Sequence, residues 1–330
     1  MIRMVNISRI FNSDFDPDDF VETSLQVFEY QYKNNSIYRL FSDLLHRNPD
    51  NATSLEDIPF LPISFFKTHK VVTGDWNPET VFESSGTAGM QQSKHYIKDT
   101  ALYEKSFTEG FRYFYGDPKE YCFLALLPSY IERQGSSLIY MMKKLMEQSG
   151  HSDNGFYLHE HEALKNKLLE LDRSGQKTIL WGVTYALLDF SENQHFHLKN
   201  TIVFETGGMK GKRKEITRDM LHRILTERFG VETIHSEYGM AELLSQTYSK
   251  GSGLFQMPAW MKIMIREIDD PLSFAGRGAT GGVNVIDLAN IHSCSFIATQ
   301  DLGKLYSDNS FEILGRFDVA DMRGCNLLID

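Results

Sequence analysis

Between Tyr121 and His235 the chain alternates two textures, and that alternation constrains its fold more than any other feature. Short apolar runs at Tyr121–Leu127, Thr178–Gly182, Thr201–Glu205 and Val231–His235 are interleaved with amphipathic runs at Leu138–Gln148, Glu162–Arg173 and Thr217–Phe229. The first kind is too short for a stable helix and apolar on both faces, which predicts strands covered on both sides. The second kind carries apolar residues at helical spacing. Strand–helix alternation of this sort predicts a mixed or mostly parallel α/β sheet flanked by helices.

Ahead of this core the spacing of Phe20, Val21, Leu25, Val27 and Phe28 predicts a helix, with Asp16 as its cap and Pro17 in its first turn. A second helix follows, its apolar stripe formed by Ile37, Tyr38, Leu40, Phe41, Leu44 and Leu45 and its end near Asn48-Pro49. Pro59 and Pro62 then interrupt the chain, and Val71, Val72 and Trp76 suggest extended segments. Beyond about Gly276 the steps are shorter and β-rich, with Gly281, Gly282, Gly303 and Gly315 expected as turn points and a last strand-like run at Asn326–Ile329. The expected organisation is a helical lead-in over 1–80, an α/β core over 81–275, and a β-rich end of the same domain over 276–330.

Charge and cysteine usage narrow the partners. The formal charge is 34 − 44 = −10 at pH 7, without the positive field of a nucleic-acid binder. No apolar run reaches the roughly 18 residues of a membrane span, and the first twenty residues lack the apolar centre of a signal peptide. Three cysteines, Cys122, Cys294 and Cys325, lie too far apart for a disulfide framework or a Cys-x-x-Cys metal site. The histidine pairs His159/His161 and His195/His197 lack accompanying ligand spacing. A cytoplasmic protein is expected.

Four stretches carry chemistry. Val81-Phe82-Glu83-Ser84-Ser85-Gly86-Thr87-Ala88-Gly89 runs from a strand into a loop of hydroxyls and unobstructed N–H groups, suited to a phosphate chain, with Lys94 close behind. An ordinary Gly/Ser turn has the same look. His235-Ser236-Glu237-Tyr238-Gly239-Met240-Ala241-Glu242 offers a ring beside a glycine for stacking on a purine, and a carboxylate for Mg²⁺. A core tyrosine with a solvated glutamate is the plainer alternative. Asp301, in Thr299-Gln300-Asp301-Leu302-Gly303, has two acceptor oxygens for ribose hydroxyls or serves an Asp turn. Arg316, in Gly315-Arg316-Phe317-Asp318, suits ribose or phosphate oxygens or a surface salt bridge.

The order of these four stretches resembles the adenylate-forming, acyl-activating superfamily. Ser84–Gly89 looks like its phosphate loop, with Ala88 for one threonine, and Glu237–Glu242 like its Tyr-Gly-x-Thr-Glu motif, with Ala241 for threonine. Thr299–Gly303 resembles its Thr-Gly-Asp segment, with Gln300 for glycine, and Gly315–Asp318 its hinge. Within the superfamily the chain is most similar to acyl-protein synthetases of the LuxE type. The likeness extends to Val27–Tyr32, Leu127–Arg133 and Gly207–Gly211. Phenylacetate–CoA ligases are the nearest other relatives.

The resemblance implies ATP-dependent activation of a carboxylic acid, by expectation a fatty acid, to acyl-AMP. It assigns Ser84, Ser85, Gly86, Thr87 and Gly89 to the β- and γ-phosphates and Gly207, Gly208, Tyr238 and Gly239 to adenine. Glu242 is assigned to Mg²⁺, Asp301 to ribose and Arg316 to ribose or phosphate, with Ser129, Tyr130 and Arg133–Ser137 as a wall of the acyl pocket. It further implies a large adenylating domain whose usual small C-terminal lysine domain is absent, because the sequence stops five residues after Cys325. LuxE-type enzymes load the acyl group on a cysteine near this end, which points to Cys325; as a small buried residue of a terminal strand it would instead be inert. If Arg323–Cys325 is extended, the guanidinium shares a face with the thiol and favours thiolate. Cys122 and Cys294 read as core residues. Other acceptors compatible with the sequence are coenzyme A or a partner protein, a reductase or carrier, with the basic knot Lys210, Lys212, Arg213 and Lys214 as a docking point or a solvated turn. Two alternatives stay open: an acyl–CoA ligase completed by a separate C-terminal domain, and a nucleotide-binding protein that has lost catalysis.

Overall fold

The computed structural model describes residues 7–12, 14–84, 91–128, 135–208, 213 and 216–317. In chain order its main elements begin with α1 (Pro17–Asn34), α2 (Ser36–Leu44), β1 (Leu61–Pro62), α3 (Phe65–Thr68), β2 (Thr80–Glu83), β3 (Lys94–Ile97) and α4 (Thr100–Tyr115). Next come β4 (Cys122–Leu126), α5 (Ser137–Ser149), β5 (Gly155–Phe156), α6 (His161–Ser174), β6 (Thr178–Val183), α7 (Thr184–Phe190), β7 (Thr201–Thr206) and α8 (Arg218–Phe229). The chain closes with β8 (His235–Tyr238), β9 (Thr247–Ser249), β10 (Met261–Arg266), β11 (Thr280–Asp287), β12 (Phe296–Leu305) and β13 (Phe311–Arg316). They form two compact units: Trp76–Pro258, and Met1–Asp75 together with Ala259–Asp330.

The Trp76–Pro258 unit is built on a six-stranded sheet of order β5-β4-β6-β7-β8-β9, parallel except for the β8–β9 pair. β4 and β6 are buried at every residue, as their uninterrupted apolar runs require. Trp181 of β6 stacks on Phe204 of β7 at a centroid distance of 4.4 Å. One strand differs from expectation. The strand expected at Val231–His235 lies further on, as the polar His235–Tyr238 segment. Those polar residues are accepted inside because neighbours satisfy them: the Tyr115 hydroxyl meets His235 Nδ1 at 3.0 Å and the Thr206 hydroxyl donates to Glu237. Helix α4 was not foreseen, because its glycine, threonines and aromatics are indifferent helix formers. Packing decides it: Tyr103, Phe107 and Phe111 are buried, and Asp99 accepts from the Ala101 N–H at 2.8 Å. A separate hairpin pairs β2 with β3, Phe82 opposite His95.

In the second unit β12 is flanked by β11 on one side and by β1 and β13 on the other. The lead-in and the β-rich end thus share one sheet, since Leu61 and Pro62 pair in parallel with Ile297 and Ala298. Gln31 of α1 ties them further, donating to the Asn290 carbonyl at 3.0 Å and accepting from the Ser295 N–H at 2.9 Å. Asp16 caps α1 through the Asp19 N–H, with Pro17 in the first turn, as its sequence predicts. The stripe expected on α2 is corrected: Leu40 and Leu44 are exposed, and the buried line runs through Tyr38 and Ser42, whose hydroxyl donates to the Tyr38 carbonyl. Val71, Val72 and Trp76 form no strand; the segment is held by the Ser293 hydroxyl on the Val71 carbonyl and by the Thr73 N–H on that of His292. Gly281, Gly282, Gly303 and Gly315, expected as turn points, lie inside strands β11, β12 and β13. Two of them border the register shifts at Gly282/Asn284 and Leu302/Gly303.

Candidate active site

Parallel strands β7 and β8 are neighbours, with Thr206 opposite Glu237. The Thr206-Gly207-Gly208 turn and the Tyr238–Glu242 turn therefore leave the same edge of the sheet side by side. Gly207 adopts φ +70°, a left-handed conformation natural to glycine. Its carbonyl lies 3.0 Å from the Thr184 hydroxyl at the start of α7, which also lies 3.2 Å from Glu205. A Cβ at Gly208 would meet nothing within 4 Å among the described residues. On the opposite turn a Cβ at Gly239 would sit 2.4 Å from Glu237 Oε1, which only glycine avoids. The Tyr238 ring packs edge-on against Phe255 at 6.0 Å, and the Arg218 guanidinium lies over Phe255 at 5.1 Å.

Beneath the turns sits a buried polar group absent from the sequence-level assignment. Glu205 lies 3.6 Å from Arg218 and 3.5 Å from His222. Burial pushes its carboxyl upward, but the His222, Arg218 and Ser236 partners outweigh that and hold it below the usual range. Glu242 is itself buried, at 4% exposure. The preceding residue, Ala241, accepts through its carbonyl from Nδ1 of His95 at 2.8 Å. Burial lowers this imidazole to about 4, opposed by that same hydrogen bond, so it is neutral at physiological pH.

Ser84 follows β2 at the neck of the hairpin connection. Its N–H donates to the Ser93 carbonyl at 3.1 Å and its hydroxyl oxygen accepts from the Ser93 N–H at 3.0 Å. Lys94 is exposed, 3.8 Å from the Glu83 carboxylate. Ser85, Gly86, Thr87 and Gly89 lie outside the described residues, as do Cys325, Ser129–Arg133 and Lys210, Lys212 and Lys214. Arg213, the described member of the basic knot, is engaged by Asp189 and Glu192 at the end of α7.

In the other unit Asp301 and Arg316 face each other across β12 and β13, 3.4 Å apart. Asp301 is largely buried and Arg316 is exposed. Behind them lies Arg266, which carried no sequence signal. Its guanidinium donates to the Val283 carbonyl at 2.9 Å, to Asn284 at 2.8 Å and to the Thr299 carbonyl at 2.6 Å. Burial draws its pKa down, and the Asp301 carboxylate opposes that. Gly282 makes the room: a Cβ there would lie 2.3 Å from Arg266 Cζ. Gly282→Ala is therefore expected to cost about 1–3 kcal/mol of unfolding free energy by overpacking. Urea unfolding checks this, and an unchanged midpoint would show that Arg266 tolerates displacement.

Cys122 and Cys294 are buried, and burial pushes each thiol up to about 12. Iodoacetamide at pH 8 should leave both unmodified in the folded protein and label both after denaturation, as read by peptide mass spectrometry. Labelling of either in the native state would contradict that burial.

Among the described residues no helix is long and apolar enough to cross a membrane. The fold is shared with acyl–CoA ligases. MatB from Rhodopseudomonas palustris, solved with ATP bound, superposes at a TM-score of 0.53 with 16% identity over 72% of this chain; the chain spans about half (47%) of that protein. A 2-hydroxyisobutyryl-CoA ligase solved in the postadenylation state gives a TM-score of 0.68 at 12% identity, covering 92% of this chain and 69% of that one. The architecture is thus that of the adenylate-forming ligases. More narrowly, the chain belongs to the acyl-protein synthetase, LuxE family, whose model matches residues 17–330. The long-chain-fatty-acid–luciferin-component ligase of Vibrio harveyi is 25% identical over 325 residues, 91% of this chain and 84% of that protein. The same-named ligase of Aliivibrio fischeri is 22% identical over 330 residues, 92% of this chain and 85% of that protein. The chain is an enzyme of this ligase class.

Proposed function

We propose that the protein activates a long-chain fatty acid with ATP and transfers the acyl group to a protein thiol, with Cys325 as the acceptor. The observation that carries the first step is the pairing of β7 with β8, Thr206 opposite Glu237. It brings the glycine turn and the Tyr238–Glu242 turn to the carboxyl ends of adjacent parallel strands, where open α/β sheets take their ligands. The substrate class follows the names of the relatives from Vibrio harveyi and Aliivibrio fischeri.

In this reading adenine lies against Gly207, Gly208, Tyr238 and Gly239. Among the described residues nothing lies within 4 Å of a Cβ at Gly208, which leaves that turn accessible to a flat base, and the glycine at 239 keeps the turn close to Glu237. Ser84, Ser85, Gly86, Thr87 and Gly89 receive the β- and γ-phosphates, Asp301 the ribose hydroxyls, and Arg316 ribose or phosphate. Glu242 would hold Mg²⁺, for which a carboxylate is a suitable hard oxygen donor. When bound, the ion would supply positive charge beside the phosphates. A carboxylate oxygen of the acid attacks the α-phosphorus, the bond to the β-phosphate oxygen breaks, and acyl-AMP and pyrophosphate form. The Cys325 thiolate then attacks the acyl carbonyl, releasing AMP and leaving a thioester. The chain's contribution to the first step is positioning and charge compensation.

Acid-dependent exchange of labelled pyrophosphate into ATP, run over carboxylic acids of different length and polarity, tests the first step. Exchange strongest with long-chain acids is expected, and absence of exchange with every acid would overturn the proposal. Hydroxylamine-sensitive label on the protein tests the second step; acyl–CoA formed in its place would identify coenzyme A as the acceptor.

A further inference from the structure

We infer that His95 is a positioning residue that locks the β2–β3 hairpin, closed at its Ser84–Ser93 neck, to the Glu242 turn, so that this hairpin and the turn proposed to hold metal move as one body. The inference rests on the reading of Glu242 as the metal ligand.

The geometry is a chain of short covalent and hydrogen-bonded steps. Ser84 and Ser93 close the neck of the hairpin connection by two mutual hydrogen bonds. His95 lies two residues beyond Ser93, on the buried side of β3 with Ile97, opposite Phe82. Its Nδ1–H reaches the Ala241 carbonyl at 2.8 Å, joining positions 146 apart in sequence. Ala241 is bonded to Glu242. The rest of the turn is fixed from other sides: the Leu243 N–H donates to the Met240 carbonyl at 3.1 Å, and the Ser106 and Ser245 hydroxyls pair at 3.0 Å. His95 supplies a hydrogen-bonded link from the turn to the hairpin. The imidazole is 1% exposed, so water cannot readily replace it as donor to the carbonyl. Groups that orient a metal ligand typically govern affinity by 10–100-fold without touching the ion.

The test compares His95→Leu, which removes the donor, with His95→Asn, whose side-chain N–H₂ lies where Nδ1 lies. In the ligand-free protein, amide hydrogen exchange is read by mass spectrometry on peptides covering 238–246. His95→Leu is expected to exchange up to about tenfold faster there, the effect of one lost hydrogen bond on local opening, and His95→Asn to stay near wild type. In pyrophosphate exchange the Mg²⁺ concentration for half-maximal rate should rise about tenfold or more in His95→Leu and return in His95→Asn. A purely structural histidine would lower the melting temperature without moving the Mg²⁺ requirement. Wild-type hydrogen exchange at 238–246 together with wild-type Mg²⁺ dependence in folded His95→Leu would overturn the inference. If His95→Leu does not fold, His95→Gln, whose donor is displaced toward the Nε2 position, takes its place with the same expectations. Should the wild-type protein show no pyrophosphate exchange, the functional proposal fails, and the ligand-free amide measurement still decides whether His95 couples hairpin and turn.

Discussion

Glu242→Gln is expected to reduce acid-dependent ATP–pyrophosphate exchange by about 10²–10³-fold, the scale of loss when one fixed electrostatic partner of a transition state is removed. The substitution keeps the size of the side chain and its capacity to hydrogen bond. What it removes is the negative charge and one anionic oxygen, and these are what Mg²⁺ requires of a protein ligand. Glu242 is 4% exposed, so its carboxyl is withdrawn from bulk solvent. Exposed charges lose most of their influence to screening, and buried ones do not. In the proposed site ATP would retain the surfaces offered by Tyr238, Gly239 and the Gly207–Gly208 turn, so nucleotide binding should weaken less than exchange. The melting temperature provides the control for a merely structural role. Exchange within a few-fold of wild type, at any Mg²⁺ concentration, would remove Glu242 from the metal and require another ligand.

The sheet that carries Glu242 was legible because burial on both faces leaves a direct mark. The runs behind β4 and β6 contain little but apolar residues, and helices α5, α6 and α8 fall close to where their spacing put them. β8 shows where such marks stop. Its residues are polar, and only neighbours distant in sequence, Tyr115 and Thr206, make them suitable for the interior. Helix α4 is the converse case, since aromatic burial against the sheet overrides weak propensity.

The same limit governs the site. Asp301 and Arg316 were singled out from separate motifs, and strand register makes them a pair. Arg266 and His95 had no such signal. An arginine in an apolar run, or a single histidine in a four-residue strand, gains meaning only from the carbonyls it reaches. For Gly282 the sequence indicated a break, whereas in the strand that glycine accommodates the Arg266 guanidinium. Local pattern reports on burial and turns, while placement by long-range hydrogen bonds has no local pattern to report.

Cys325→Ala is expected to separate the two proposed half-reactions: pyrophosphate exchange stays near wild type, while labelling of the protein by radioactive fatty acid and ATP falls by about 10³-fold or more, as when a nucleophile is deleted. The case is one of competition among three thiols. A thioester forms only from thiolate, and a thiol held at about 12 presents a negligible thiolate fraction at neutral pH. Cys122 and Cys294 are both buried and both held there, so neither competes for acyl-AMP in the folded protein. Cys325 remains, two residues after Arg323, whose guanidinium would favour the thiolate in an extended segment. Deleting it leaves the proposed adenylating residues in place, which is why exchange should survive. Hydroxylamine supplies the second criterion, since it releases a thioester readily. Hydroxylamine-sensitive label persisting in Cys325→Ala would place the acceptor on another group, and loss of exchange in that variant would show that Cys325 supports adenylation itself.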